Sequence, residues 1–341
     1  MTPPVALGRR ALLAAALLAP AAARASSDVV VGISPGSYAE ALAALVLKPV
    51  LGPLGITARQ DLASADDRMA TLVAERRKAT GSLDVACLSD IDMYAMSLLG
   101  LFKPVTTAPV PNLLHVEPKL RVPYAIPQCH SALVLLYDTS QVRPAPLRLA
   151  DLWSPKWKGR VGLSAEIALY NVAMATLAAG GTMNDLAPGK QKLVQLKALG
   201  AKIYPSNVAL GAALRSGEIW LAPMWRSHGY EWGREAPKLQ QAVPYDGAIR
   251  IIQMASVPKN APDESDGMAC LNAMLDPHAQ LALAEQHGWL PTMQTVRLPA
   301  PLLRQIGFSQ SEGQRLLTPN YDVMARSRRS LTAFWKDTFG D

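Results

Sequence analysis

Cysteine is scarce in these 341 residues, which hold only Cys87, Cys129 and Cys270. An odd number leaves at least one thiol unpaired, so this is not a disulfide-stapled scaffold. Neither C-x-x-C nor H-E-x-x-H occurs, which removes the common built-in zinc sites, and no metal or cofactor is expected. Charge is sparse too: 18% of residues are Asp, Glu, Lys or Arg, while half are hydrophobic. That balance excludes a disordered chain and predicts real cores, enough for two ordinary domains or one large one. There is no internal repeat and no low-complexity linker. No stretch after the N-terminus is apolar over the roughly 20 residues that a bilayer crossing needs.

The N-terminus itself carries an apolar run, Ala11 to Ala23, preceded by Arg9 and Arg10 and followed by the small-x-small triplet Ala23-Arg24-Ala25. Basic, apolar and small residues in that order predict a secretory signal over residues 1–25, cleaved near Ala25. Gly8-Arg9-Arg10-Ala11-Leu12-Leu13 fits the twin-arginine route as well as the general one. Cleavage removes three arginines and no acid, lowering the formal charge from +7 to +4. The basic runs Arg76-Arg77-Lys78 and Arg326-Ser327-Arg328-Arg329 fall in helical patterns and read as solvated faces. No nucleic-acid partner is expected.

Strand-like and helix-like segments alternate. Val29–Ile33, 56–62 and 83–88 read as strands, with helices over 38–47, 66–78 and 91–99 between and after them. This βαβαβ pattern predicts a mostly parallel sheet covered by helices. A strand over 131–137 leads into the Pro-rich loop 143–146. A second α/β unit follows, with strands over 160–163, 201–204 and 218–223 and helices over 167–179, 189–199 and 209–215. A strand over 248–257 and helices over 266–275 and 278–286 come next.

The first strand runs into Gly32-Ile33-Ser34-Pro35-Gly36, a G-x-S-x-G between strand and helix. That is where a secreted serine hydrolase would place its nucleophile, here Ser34. The elbow needs the backbone N–H of the next residue as an oxyanion donor, and Pro35 has none. The same residues suit binding: Ser34 as N-cap, Pro35 at the first helical position, and the N–H groups of Gly36, Ser37 and Tyr38 facing a ligand that accepts hydrogen bonds.

Residues 137 to 164, with Asp151-Leu152-Trp153, Pro155 and Trp157-Lys158-Gly159-Arg160-Val161, resemble the crossover segment of periplasmic substrate-binding proteins of ABC importers. The likeness is to the two-lobed polyamine-, iron- and thiamine-binding group. Residues 215–229, 254–275, 287–292 and 319–335 resemble further segments of that group in order. The resemblance implies a type II α/β fold: two lobes, each a mostly parallel sheet flanked by helices, closing on a ligand like a hinge. Chain crossings are expected near 131–134 and 245–249. Lobe 1 would be residues 26–131 plus 246–300, lobe 2 residues 132–245, and 301–341 a C-terminal helical segment packing on the lobes. The implied protein is a periplasmic monomer whose partners are a small solute and the importer's membrane permease, with no catalysis and no cofactor.

Carried over position by position, the resemblance puts Ser34, Gly36, Ser37 and Tyr38 in the first ligand-contacting loop, and Ser89 and Asp90 in the second. Glu166 stands where polyamine binders place an acid, Trp225 at a cleft-wall aromatic, and Ser206 and Asn207 in a loop that touches ligand. Departures redirect the ligand class. A second acid of polyamine binders is here Leu169, and a Trp and an Asp on the returning strand are Ile251 and Gln253. The adjacent tyrosines of the iron binders are missing. Arg226 and Arg250 read either as salt-bridging residues or as a grip on a carboxylate, phosphate or sulfonate. Glu166 reads either as a helix cap or as an amine ligand. The expectation is an anionic or zwitterionic solute, with a polyamine as the alternative.

Overall fold

A computed structural model describes residues 28–340; the expected signal segment lies outside the described residues. The first α/β unit comprises β1 (Asp28–Ile33), α1 (Ser37–Leu42), β2 (Thr57–Leu62), α2 (Ala65–Glu75), β3 (Val85–Ser89) and α3 (Asp90–Ser97). β1 is buried along all but its first residue, as its run of valines requires, and pairs in parallel with β2 and β3.

β4 (Ile126–Asp138) then carries the chain out of this unit. Its 13 residues span about 43 Å of extended chain. The second unit follows as β5 (Gly162–Ser164), α4 (Ala168–Ala178), α5 (Ala187–Ala198), β6 (Lys202–Tyr204), α6 (Asn207–Ser216), β7 (Leu221–Trp225), α7 (Arg226–Glu235) and β8 (Leu239–Ala242). β9 (Ala248–Ser256) returns, leading to α8 (Glu264–Met274), α9 (Pro277–His287) and β10 (Leu290–Pro291). α10 (Ala300–Ile306), α11 (Gln310–Gly313), β11 (Leu316–Leu317) and α12 (Tyr321–Phe339) complete the described chain.

β4 and β9 pair antiparallel from Ile126–Ala255 to Leu133–Ile249, with a bulge between Pro127 and Cys129 that sets Gln128 outside the ladder. Beyond Leu133, β4 pairs with β7 and β8 instead. One strand thus serves two hydrophobic cores. The first gathers Val29, Leu42, Val85 and Leu271; the second gathers Leu135, Leu163, Leu210 and Trp225. The sheet is mixed rather than mostly parallel, because β4 and β9 cross in opposite directions and each brings antiparallel neighbours.

α7 has no counterpart in the sequence reading. Its segment RSHGYEWGRE holds two glycines and no apolar period. Gly229 is there for close approach: a Cβ would meet Leu136 at 2.7 Å. In α12, Met324, Leu331 and Trp335 recur at i, i+7 and i+11 and bury one stripe in the second core. At about 1.5–3 kcal/mol for each large apolar side chain, that stripe holds the helix to this core.

Candidate binding cleft

The carboxyl ends of β1, β2, β3, β5, β6 and β7 face one cavity of about 660 Å³. Ligands of open α/β sheets bind at such ends. The segments leaving these strands each start a helix, so the N-termini of α1, α2, α3, α4, α6 and α7 all bear on the cavity. Tyr38, Tyr170, Trp225, Trp289 and Trp335 supply aromatic wall.

The first loop departs from expectation in its cap. Gly36, not Ser34, caps α1, at φ 132° and ψ −177°, and no side chain accepts from the helix start. That backbone conformation is open essentially to glycine alone. Ser34 is therefore a half-buried hydroxyl lining the cavity. Ser37 also lines it and donates to Glu231 at 3.2 Å. Tyr38 donates to the bulged Gln128, and its ring packs 5.4 Å from Trp289.

In the second loop Ser89 lines the cavity and caps α3, accepting from the Asp92 N–H at 3.3 Å. Asp90 does not line it. It is buried behind the wall, accepting from the hydroxyls of Tyr170 at 2.6 Å and Tyr321 at 2.8 Å. Burial raises its carboxyl, these bonds and two backbone N–H groups oppose the rise, and the balance is about 6. It ties α3, α4 and α12 together behind the cavity wall.

On the other side, Glu166 lines the cavity and accepts the Asn207 N–H at 3.0 Å, capping α6 rather than the helix that follows it. Asn207 is 9% exposed and lines the cavity with its Oδ1 unpartnered. Ser206 caps α6, accepting from the Ala209 N–H at 3.2 Å, and is not part of the lining. Trp225 is cleft wall, edge-on to Tyr170 at 4.8 Å.

The two arginines expected to grip a ligand face elsewhere. Arg226 is buried, donates to the Arg304 carbonyl at 3.5 Å and stacks 5.0 Å from Phe308. Trp225 takes the cavity side at the end of β7, while Arg226 opens α7 and packs toward α10. Arg250 is absent from the lining because Ile251 and Gln253 line the cavity from β9, and alternation turns it the other way. Burial, with the Arg250 charge nearby, holds His130 down at about 3, so its ring stays neutral at physiological pH.

The sequence reading missed α12 as a wall. Arg328, Thr332, Trp335 and Lys336 line the cavity from it. Arg328 pairs with Asp92 and, at 2.8 Å, with Asp66, and both acids also line the cavity. The signal was present: Arg328 lies four residues after Met324 and three before Leu331, a charge inside an apolar stripe. His228 lines the cavity as well, its Nδ1 3.4 Å from Glu231. Glu231 also meets His287 Nδ1 at 2.5 Å. Burial raises this carboxyl, but the bond to His287 and the His228 ring beside it outweigh that and hold it at about 2.

All three cysteines are buried and unpaired. Among the described residues no helix is long and apolar enough to cross a membrane, and no group of His, Cys, Asp and Glu is arranged to hold a metal.

Residues 98–325 match the family profile described as bacterial extracellular solute-binding protein. The spermidine/putrescine-binding periplasmic protein of Escherichia coli (strain K12) is 22% identical over 236 residues, 65% of this chain and 67% of the relative. An ABC transporter substrate-binding protein from Bradyrhizobium japonicum USDA 110 superposes with a TM-score of 0.80 at 19% identity, over 92% of this chain and 99% of that one. The binding protein AgtB of A. tumefaciens R10, solved with agropinic acid, superposes with a TM-score of 0.78 at 17% identity, over 92% and 99%.

Proposed function

Because the chain belongs to the bacterial extracellular solute-binding protein family, we propose that it captures a small zwitterionic or anionic solute in this cleft and presents it to the permease of an ABC importer. It works in the periplasm as a monomer, after loss of residues 1–25. Lobe 1 is residues 26–131 plus 246–300 and lobe 2 residues 132–245, with 301–341 packed on both; the first hydrophobic core falls within lobe 1, while the second also draws Ile91, Cys129, Ile249, Ile251 and Trp289 from it. Closure about β4 and β9 buries the solute.

The observation that carries the ligand class is the start of α1, which no side chain caps, on an aromatic-walled cavity. At α2, α3, α6 and α7 the side chains of Ser64, Ser89, Ser206, Glu166 and Ser131 already accept helix-start N–H groups. The N–H groups of α1 favour a carboxylate. Opposite, the unpartnered Asn207 Oδ1 and the Glu166 carboxylate are acceptors for an ammonium. A short amino acid or amino-acid derivative meets both ends. The agropinic acid bound by a relative of the same fold is a precedent for an acid ligand.

A polyamine is the second reading, favoured by the Escherichia coli relative and by the three carboxylates of the lining. Against it, Leu169, Ile251 and Gln253 line the cavity at positions where the polyamine-binding resemblance implies an acid, a Trp and an Asp. The reading includes no catalytic step, since the residue after Ser34 is a proline.

Thermal unfolding of the purified protein in the presence of amino acids, dicarboxylates, putrescine and spermidine tests this. At 100 times its Kd a true ligand adds about 2.7 kcal/mol, a rise in Tm of roughly 5 °C. We expect that rise from an amino acid or carboxylate. A rise from the polyamines alone would overturn the ligand class.

A further inference from the structure

We infer that Arg328 is the specificity-determining residue of the cleft: its guanidinium holds Asp66 and Asp92, the two carboxylates a cationic solute would need. The inference rests on the reading of this cavity as the solute site and deepens it by naming what excludes polyamines.

The lining carries three carboxylates, Asp66, Asp92 and Glu166, against Arg328 and Lys336. Glu166 is already engaged with the start of α6. The other two acids converge on Arg328 from α2 and α3, one on each terminal nitrogen. The side chains of Asp92 and Arg328 are 12% and 23% exposed, so that pair is largely desolvated, whereas Asp66 at 76% stays in contact with water and adds charge at the rim. In such surroundings a carboxylate demands a cation. Arg328 supplies it from within the chain and stands where a ligand ammonium would.

Arg328 is not needed to keep α12 in place. The apolar stripe Met324, Leu331 and Trp335 packs the helix on the second core. Asn320 bonds Asn184 at 2.7 Å, Tyr94 bonds Asp322 at 2.5 Å, and Lys197 reaches the Thr338 carbonyl. Removing the guanidinium therefore leaves α12 seated and exposes two carboxylates to the aromatic-walled cavity. Such a site pairs an ammonium with carboxylates and lets its methylenes pack on the rings.

Putrescine binding measured by calorimetry in low salt tests this on the wild type, Arg328→Gln and Arg328→Met, the last keeping the apolar stem. We expect both variants to bind putrescine at least tenfold more tightly than the wild type, and Arg328→Gln/Asp92→Asn to lose the gain. Affinities within threefold of the wild type would overturn the inference, as would a gain that survives loss of Asp92. Failure of both single variants to fold would also overturn it, by making Arg328 a structural residue. The ligand class is read separately, from the wild type with amino acids. Wild-type amino-acid binding without a gain in the variants sinks this inference alone; a gain without amino-acid binding sinks only the ligand class.

Discussion

At the scale of single residues, the buried Asp90 and the half-buried Glu231 carry opposite pH signatures. Asp90 is raised from 3.8 to about 6 because burial outweighs its hydrogen bonds. A raised acid binds its proton better folded than unfolded, so its contribution is complete below pH 3.8 and is lost as pH rises through about 6. Asp90→Asn cannot titrate and should flatten the fall in unfolding free energy between those two values, checked by urea denaturation along a pH series. Which residues line the cavity was partly legible at this scale. Ser34, Gly36, Ser37, Tyr38, Ser89, Glu166, Asn207 and Trp225 all line the cavity; the turn from Ser34 to Tyr38 was readable from local pattern, and the others came from the family resemblance. Asp90, Ser206, Arg226 and Arg250 do not. Facing depends on register to within one residue, and a slip of one turns a side chain to the opposite face. On β9 Ile251 and Gln253 take the cavity side, so alternation turns Arg250 the other way.

At the scale of elements, the strands and helices with a clear apolar period were the ones legible in sequence, among them β1, α2, β9 and α8. α7 was not, since its place comes from close packing of Gly229 on β4 and of Trp232 in the second core. α12 was recognisable as a C-terminal segment, but its basic run Arg326 to Arg329 was read as solvated. Its stripe shows why that reading was incomplete: the apolar face fixes the helix and thereby aims one of those arginines inward. Leu331 is 1% exposed and takes no part in lining the cavity. Leu331→Ala should cost about 2–5 kcal/mol in urea unfolding. A loss below about 1 kcal/mol would mean that α12 is held mainly by its polar links.

At the scale of the whole molecule, the two cores meet through Ile91, Trp289 and Tyr38, which pack on the second core from the side of the first, and through a set of polar links. Ser37 and His287, on helices of the first core, both reach Glu231 on α7, whose Trp232 belongs to the second. Arg328 to Asp66 and Asp92, and Tyr170 to Asp90, cross in the same way. Bonds of this kind exchange readily with water on opening, at a net cost of about 1 kcal/mol each, whereas parting an apolar interface would expose surface with no such exchange. A cleft that must open and close is served by the polar links. Glu231 is the link whose pH response can be isolated. Its carboxyl is held at about 2, below its ordinary 4.5, so it contributes stability that is complete above pH 4.5 and is lost as pH falls through about 2. Glu231→Gln should remove that part of the acid limb, so that its stability falls less steeply than the wild type's below pH 4.5. If Glu231 also ties the lobes together in solution, the amide, which weakens the links to both histidines, should enlarge the radius of gyration of the ligand-free protein in X-ray scattering. An unchanged acid limb would show that the histidines beside Glu231 do not outweigh its burial.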